Sequence, residues 1–281
     1  MIGYHVNIIK KSFKKSIEKA HIESNINAFQ LFVKNPLQLK IVSYNEKEAE
    51  DCKKYVEENN FFLVSHATYL LNSATEDKFD EKIESALNDL IYAEKIGAIG
   101  SVFHVGKHLK QTKEEGINQM FKFISTVIEK LQEMNSKSIY ILETAAACGT
   151  ELLYDIEELG DFYHRFNEEQ KRNLRICIDT CHVFSAGYSL KSESESMQFI
   201  ELVEQKIGWS NVVLIHLNDS KKDCGCHVDR HANLCQGCIS KDDQSGLAYF
   251  VKYCYHKGIP LILETPNDIY NEELEIIKKW I

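Results

Sequence analysis

Proline is scarce in this chain: three residues in 281 (Pro36, Pro260, Pro266), with no Gly/Ser-rich or low-complexity tract. Nothing reads as a linker, so one domain over 1–281 is expected. No apolar run reaches the roughly 18 residues that a membrane span requires. The opening Met1-Ile2-Gly3-Tyr4-His5-Val6-Asn7 lacks the basic-then-apolar order of a secretory leader. No Gly-rich phosphate loop follows any candidate strand, which counts against a dinucleotide-binding open sheet. The nine cysteines are odd in number and scattered. That pattern excludes a small disulfide-framed fold and favours free thiols in a reducing compartment, whether cytoplasm, nucleus or virion. Positive charge is not in excess either. A net charge of −9 argues at first against a nucleic-acid partner.

What is present is a regular alternation. A hydrophobic content of 44% lets a chain of this length bury a full core. Candidate strands are Ile2 to Val6, Ala28 to Val33, Phe61 to Ser65, Ile99 to His104, Ser138 to Glu143, Leu174 to Asp179, Val212 to His216 and Pro260 to Glu264. Amphipathic helical stretches lie between them, among them Glu76 to Ile96, Lys113 to Met134 and Glu195 to Ile207. Eight strands alternating with helices predict an α/β fold of the (β/α)8 TIM-barrel type. Barrel sites gather at the C-terminal strand ends. His66, His104, Glu143, Asp179, His216 and Glu264 fall at the last position of strands three to eight or just after. Buried parallel strands are otherwise apolar, so six consecutive polar strand ends predict a site.

Three runs carry metal-ligand chemistry: Cys177-Ile178-Asp179-Thr180-Cys181-His182, Val213-Leu214-Ile215-His216-Leu217-Asn218-Asp219 and Val228-Asp229-Arg230-His231. Imidazole nitrogen with carboxylate oxygen suits zinc. Asp179 and His182, three apart at a strand end, can serve neighbouring ions. Asp229 and His231, two apart on an extended loop, can share one. Glu143 and Glu264 add carboxylates able to bridge metals or orient a water. Any one of these residues alone could be a hydrogen-bonded core group; so many unmetallated acids and imidazoles together would be costly to desolvate. The residues predict a multinuclear zinc hydrolase.

The segment Ile178-Asp179-Thr180-Cys181-His182-Val183-Phe184-Ser185-Ala186-Gly187-Tyr188 closely resembles endonuclease IV, the family 2 apurinic/apyrimidinic endonucleases. So do His216-Leu217-Asn218-Asp219-Ser220-Lys221, Val228-Asp229-Arg230-His231 and Leu263-Glu264-Thr265-Pro266. Shorter matches are Gln30-Leu31-Phe32-Val33-Lys34-Asn35, His66-Ala67-Thr68-Tyr69-Leu70, Phe103-His104-Val105-Gly106 and Leu142-Glu143-Thr144-Ala145. They follow the family's order along essentially the whole chain. The resemblance implies a single barrel holding three zinc ions and cleaving double-stranded DNA 5′ to an abasic site, with 3′-hydroxyl and 5′-deoxyribose phosphate products. His66, His104 and Glu143 would hold the first zinc. Glu143 would bridge to the second, which Asp179, His216 and Glu264 complete. His182, Asp229 and His231 would hold the third. Glu264 and Glu143 would be the catalytic carboxylates. Three divalent ions would bring the net charge from −9 to −3, so the global charge does not veto DNA.

The resemblance implies Tyr69 and Leu70 as a wedge beside the lesion; Lys34 and Arg230, at predicted strand-end loops, are expected as basic DNA contacts. Core packing is the plain alternative for the first two. Further lysines at predicted strand-end loops (Lys10, Lys11, Lys14, Lys15, Lys107, Lys110, Lys221, Lys222) would suit phosphates, though Lys10 to Lys15 also fit a solvated helix face. No partner subunit or membrane is implied; a monomer is expected. The chain departs from the family at Pro36-Leu37-Gln38-Leu39, where an Arg and an aromatic are usual, and at Ala147 and Cys148. Cys224, Cys226, Cys235 and Cys238 place four thiols in fifteen residues, as an extra zinc site, an oxidised pair or free thiols. The rivals are a sugar isomerase or epimerase on the same barrel, whose sites favour oxygen ligands, and a non-catalytic lesion binder, whose mark would be a lost ligand.

Overall fold

The computed structural model describes residues 1–241, 245–266 and 269–281. Its strands are β1 (Ile2–His5), β2 (Ala28–Phe32), β3 (Phe62–His66), β4 (Gly100–His104), β5 (Ile139–Glu143), β6 (Leu174–Asp179), β7 (Val212–His216), β8 (Asp219–Ser220), β9 (His231–Ala232) and β10 (Leu261–Leu263). The helices are α1 (Phe13–Ser24), α2 (Glu46–Glu58), α3 (Phe79–Lys95), α4 (Lys113–Glu133), α5 (Ile156–Tyr163), α6 (Thr180–Ala186), α7 (Glu193–Lys206), α8 (Gly246–His256) and α9 (Tyr270–Trp280). Pairing runs β1-β10-β7-β6-β5-β4-β3-β2 and closes on itself, a parallel (β/α)8 barrel as expected. The short β8 and β9 form a separate antiparallel pair that the sequence did not disclose.

The chain makes two compact units. One comprises Met1–Tyr4, Glu143–Arg165 and Ile176–Ile281; the other comprises His5–Leu142 and Phe166–Arg175. In the latter, β2 pairs with β3 from Ala28↔Phe62 to Phe32↔His66. Both faces of such parallel strands are covered, which is why Phe29, Leu31, Leu63 and Val64 are wholly buried. Gly100 opens β4 because a Cβ there would collide with the Ile139 carbonyl. In the former unit, β6 and β7 pair from Ile176↔Val212 to Asp179↔His216, with a register shift between Ile176 and Cys177.

Local signals set the element ends. The helix expected from Glu195 begins at Glu193, because Ser192 caps it and Glu195 closes a capping box. The third strand extends one residue beyond the expected Ser65, so His66 is its last residue. His104, Glu143, Asp179 and His216 likewise end β4, β5, β6 and β7, and Glu264 directly follows β10. No helix of the described residues is long and apolar enough to cross a membrane.

Candidate metal centre

Asp179 performs two tasks at once. It is the N-cap of α6, with Oδ1 accepting the His182 N–H at 2.9 Å, while Oδ2 accepts the Asn218 side-chain amide at 2.7 Å. The Asp-x-x-His spacing is therefore a helix-capping relation that fixes one candidate ligand against another. Asn218 also accepts the Glu264 N–H through Oδ1 at 3.0 Å, and its own N–H donates to Thr180 Oγ1 at 2.9 Å. One side chain thus ties Asp179 to the backbone of Glu264.

Around this frame Glu143, Asp179, His216 and Glu264 converge, with one donor atom of each within 4.8 Å of the others. His216 Nδ1 lies 2.7 Å from Glu143 Oε1 and 3.2 Å from Glu264 Oε2. A second group joins His182, Asp229 and His231. The Asp229 carboxylate stands 3.3 Å from Nε2 of each histidine. His182 Nδ1 faces the Thr144 carbonyl at 2.8 Å, and Thr144 Oγ1 accepts the Asp179 N–H at 3.0 Å. That contact directs His182 Nε2 towards Asp229, as an outer partner does for a metal-ligating imidazole. In the other unit His66 Nδ1 faces the Ala67 carbonyl at 2.8 Å, and the His66 and His104 rings lie 5.1 Å apart.

Burial and close neighbours compete at these groups. Burial works against the charged rings of His182, His216 and His231. Neighbours outweigh it: Asp179, Asp229 and Glu143 hold His182 well above the ordinary range, and a hydrogen bond to the Cys177 sulfur, with the carboxylates of Glu264 and Glu143, does so for His216. His231 is pushed up to about 9, chiefly by Asp179. Burial raises Asp179. It opposes ionisation of Asp229 as well, but the two imidazoles beside that carboxylate hold it below the usual range. His231 Nε2 is buried with no hydrogen-bond partner among the described residues, although two carboxylates lie 3.3 and 3.6 Å away. Nitrogen and oxygen donors crowded this closely fit a divalent ion of zinc's character.

Sequence reasoning passed over Cys177 and Cys181, which also fall within 4.8 Å of ligand pairs. Burial pushes both thiols up to about 12, so they stand as neutral neighbours. It also passed over Asn218 and Thr144, whose only signal was their place in the quoted motifs. Among the described residues, no three of Cys224, Cys226, Cys235 and Cys238 converge on one point.

A family model described as a xylose isomerase-like TIM barrel matches residues 19–280. The probable endonuclease 4 of Clostridium beijerinckii is 33% identical over 99% of this chain and 97% of its own length. The putative endonuclease 4 of Acanthamoeba polyphaga mimivirus is 30% identical over 100% of this chain and 93% of its own. The chain belongs to the endonuclease IV family. The crystal structure of endonuclease IV from Thermus thermophilus superposes with a TM-score of 0.83 at 26% identity, covering 99% of this chain and 98% of that one. A D-tagatose 3-epimerase-like protein reaches 0.73 at 18% identity, a likeness of fold alone.

Against the endonuclease IV expectation, the rim residues divide. Tyr69 and Leu70 are 54% and 52% exposed, so they are not core. The Tyr69 ring rests against Phe32, His66 and His104, with centroids 5.4–5.7 Å away. The Pro36 carbonyl accepts from Thr68 Oγ1 and the Tyr69 N–H, which sets exposed Leu37 on a loop laced to theirs. Arg230 is exposed and donates to the Asp229 carbonyl at 2.7 Å. Lys34 is a correction. Its ammonium is buried, 3.0 Å from Asp89 Oδ2 and hydrogen bonded to the Ser85 carbonyl and Oγ at 2.9 and 2.8 Å. A charge spent on α3 does not reach a phosphate.

Proposed function

We propose that this chain, as one endonuclease IV-like barrel domain over 1–281, is a zinc-dependent DNA repair nuclease. It hydrolyses the phosphodiester bond 5′ to an abasic site in double-stranded DNA and acts as a monomer. Three zinc ions would be held by His66, His104 and Glu143; by Glu143, Asp179, His216 and Glu264; and by His182, Asp229 and His231. The observation that carries this reading is the convergence of His182, Asp229 and His231 beside the Glu143–Asp179–His216–Glu264 group. Oxygen-rich ligand sets of the kind that suit magnesium or manganese contrast with this nitrogen-rich group.

Zinc, when bound, supplies the Lewis-acid charge that lowers the pKa of a water and offsets the anionic phosphate. The chain's own residues do the rest. Thr144 keeps the His182 proton on Nδ1, leaving Nε2 for coordination. Asn218 holds Asp179 in register with the Glu264 backbone. Glu264, with a side chain 15% exposed, would orient the attacking water, and Glu143 would join two sites. Tyr69 and Leu70 would fill the gap left by the missing base.

The test is a labelled duplex with one tetrahydrofuran abasic analogue, which β-elimination cannot cut. A nick 5′ to the analogue with a polymerase-extendable 3′ end is expected, and none in the undamaged duplex. An intact analogue strand, or equal cutting of both duplexes, would overturn the reading.

A further inference from the structure

Among the described residues three buried carboxylates lie outside the ligand set, and one of them, Asp89, is the partner of Lys34. Asp219 accepts from Ser220, Ile239 and Ser240 and closes its own loop. Glu273 does something different. It sits on α9, is wholly buried, and holds two loops that each carry a candidate ligand. Oε1 accepts the Leu234 N–H at 2.8 Å; Oε2 accepts the Asn233 side-chain amide at 3.1 Å and the Thr265 hydroxyl at 2.5 Å. Asn233 and Leu234 follow the β9 residue His231 by two and three positions, and Thr265 directly follows Glu264. The Asn233 amide also donates to the Pro266 carbonyl at 2.5 Å, and His231 Nδ1 lies 3.3 Å from the Glu264 carbonyl.

We propose that Glu273 is a positioning residue that sets the spacing between His231 and Glu264, and through it the hold on zinc at His182, Asp229 and His231. This rests on the zinc reading above. The chemistry of the clamp requires an acceptor at both oxygens. The Leu234 N–H and the Asn233 amide hydrogens can only donate, so a carboxylate satisfies them and an amide does not. Glutamine keeps the shape but turns an NH2 group on one of these donors. A buried donor facing a donor is relieved only by moving a loop. The loops that must move are those bearing His231 and Glu264.

The experiment compares Glu273→Gln with the parent for zinc per chain, for zinc retention against a graded chelator, and for KM and kcat on abasic duplex. The variant is expected to keep two zinc ions where the parent keeps three. Its kcat should fall about 10–100-fold, the scale for losing an outer-shell partner, while KM stays within about twofold because no DNA-facing residue has changed. Parental zinc retention together with a parental kcat would overturn the proposal. So would faster exchange of the Leu234 amide with zinc retention unchanged, since the clamp would then be mere scaffolding. Should Glu273→Gln fail to fold, Thr265→Val removes one arm only. Weaker zinc retention in it supports the proposal and parental retention overturns it. The parent's nicking of abasic DNA judges the proposed function; the variant-to-parent ratio of zinc retention judges Glu273.

Discussion

Replacing Asp89 with Ala would strand the Lys34 ammonium in the interior. The two side chains are 2% and 0% exposed and lie 3.0 Å apart, and the ammonium's remaining contacts are the carbonyl and hydroxyl of Ser85. Burial already draws Lys34 below its ordinary pKa and pushes Asp89 up to about 6, so the pair is held against a real desolvation cost. Breaking such a pair from one side costs about 3–5 kcal/mol. Replacing both partners, Lys34→Met with Asp89→Leu, removes the buried charge and should cost less than either single change. Urea denaturation at pH 7.5, followed by circular dichroism, gives the three stabilities. The same variants test the correction to Lys34's expected role. A lysine on a phosphate contributes close to one unit to the salt slope of DNA affinity. A folded Lys34→Met chain should keep the parental slope. Parental stability combined with a slope shallower by about one would refute the buried pair and return Lys34 to the DNA surface.

Asn218→Ala removes contacts to both Asp179 and the Glu264 backbone, so zinc affinity or kcat should fall about 10–100-fold with little loss of fold, as metal competition and circular dichroism will report. Tyr69→Ala should weaken abasic-duplex binding by about 1–3 kcal/mol in a fluorescence titration and leave binding to intact duplex and the salt slope unchanged. Zinc must displace the proton of His231, pushed up to about 9, so loading at pH 7 should release protons, and apparent zinc affinity should rise towards pH 9. Calorimetry in buffers of different ionisation heat measures that release. In the zinc-free chain the sign reverses. His231's folded pKa exceeds its unfolded 6.5, so its contribution to stability is full below about 6.5 and is lost as pH rises through about 9.

The barrel was legible because its strands are apolar runs that end in a polar residue, and that polarity marks the barrel mouth. His66 shows the limit of the rule: the strand was expected to stop at Ser65, yet pairing of Phe32 with His66 carries it one residue further. Candidate ligands were legible because each stands in a motif with its own chemistry. The outer shell was not. Thr144 and Asn218 act through contacts 35 to 46 residues away in sequence, and no local spacing encodes them. Lys34 misled because a lysine beside a strand-end loop reads the same whether its ammonium meets solvent or Asp89, 55 positions on. Burial settles that, and burial is a tertiary fact.

Cleavage at abasic sites should depend on zinc held by these side chains. The direct measurement is zinc content and abasic-duplex nicking on one preparation as a chelator strips it in steps. Three zinc ions per chain at the outset are expected, with nicking lost in step with zinc and restored by adding it back. Full nicking by a chain carrying less than one zinc, with no other metal present, would contradict the account.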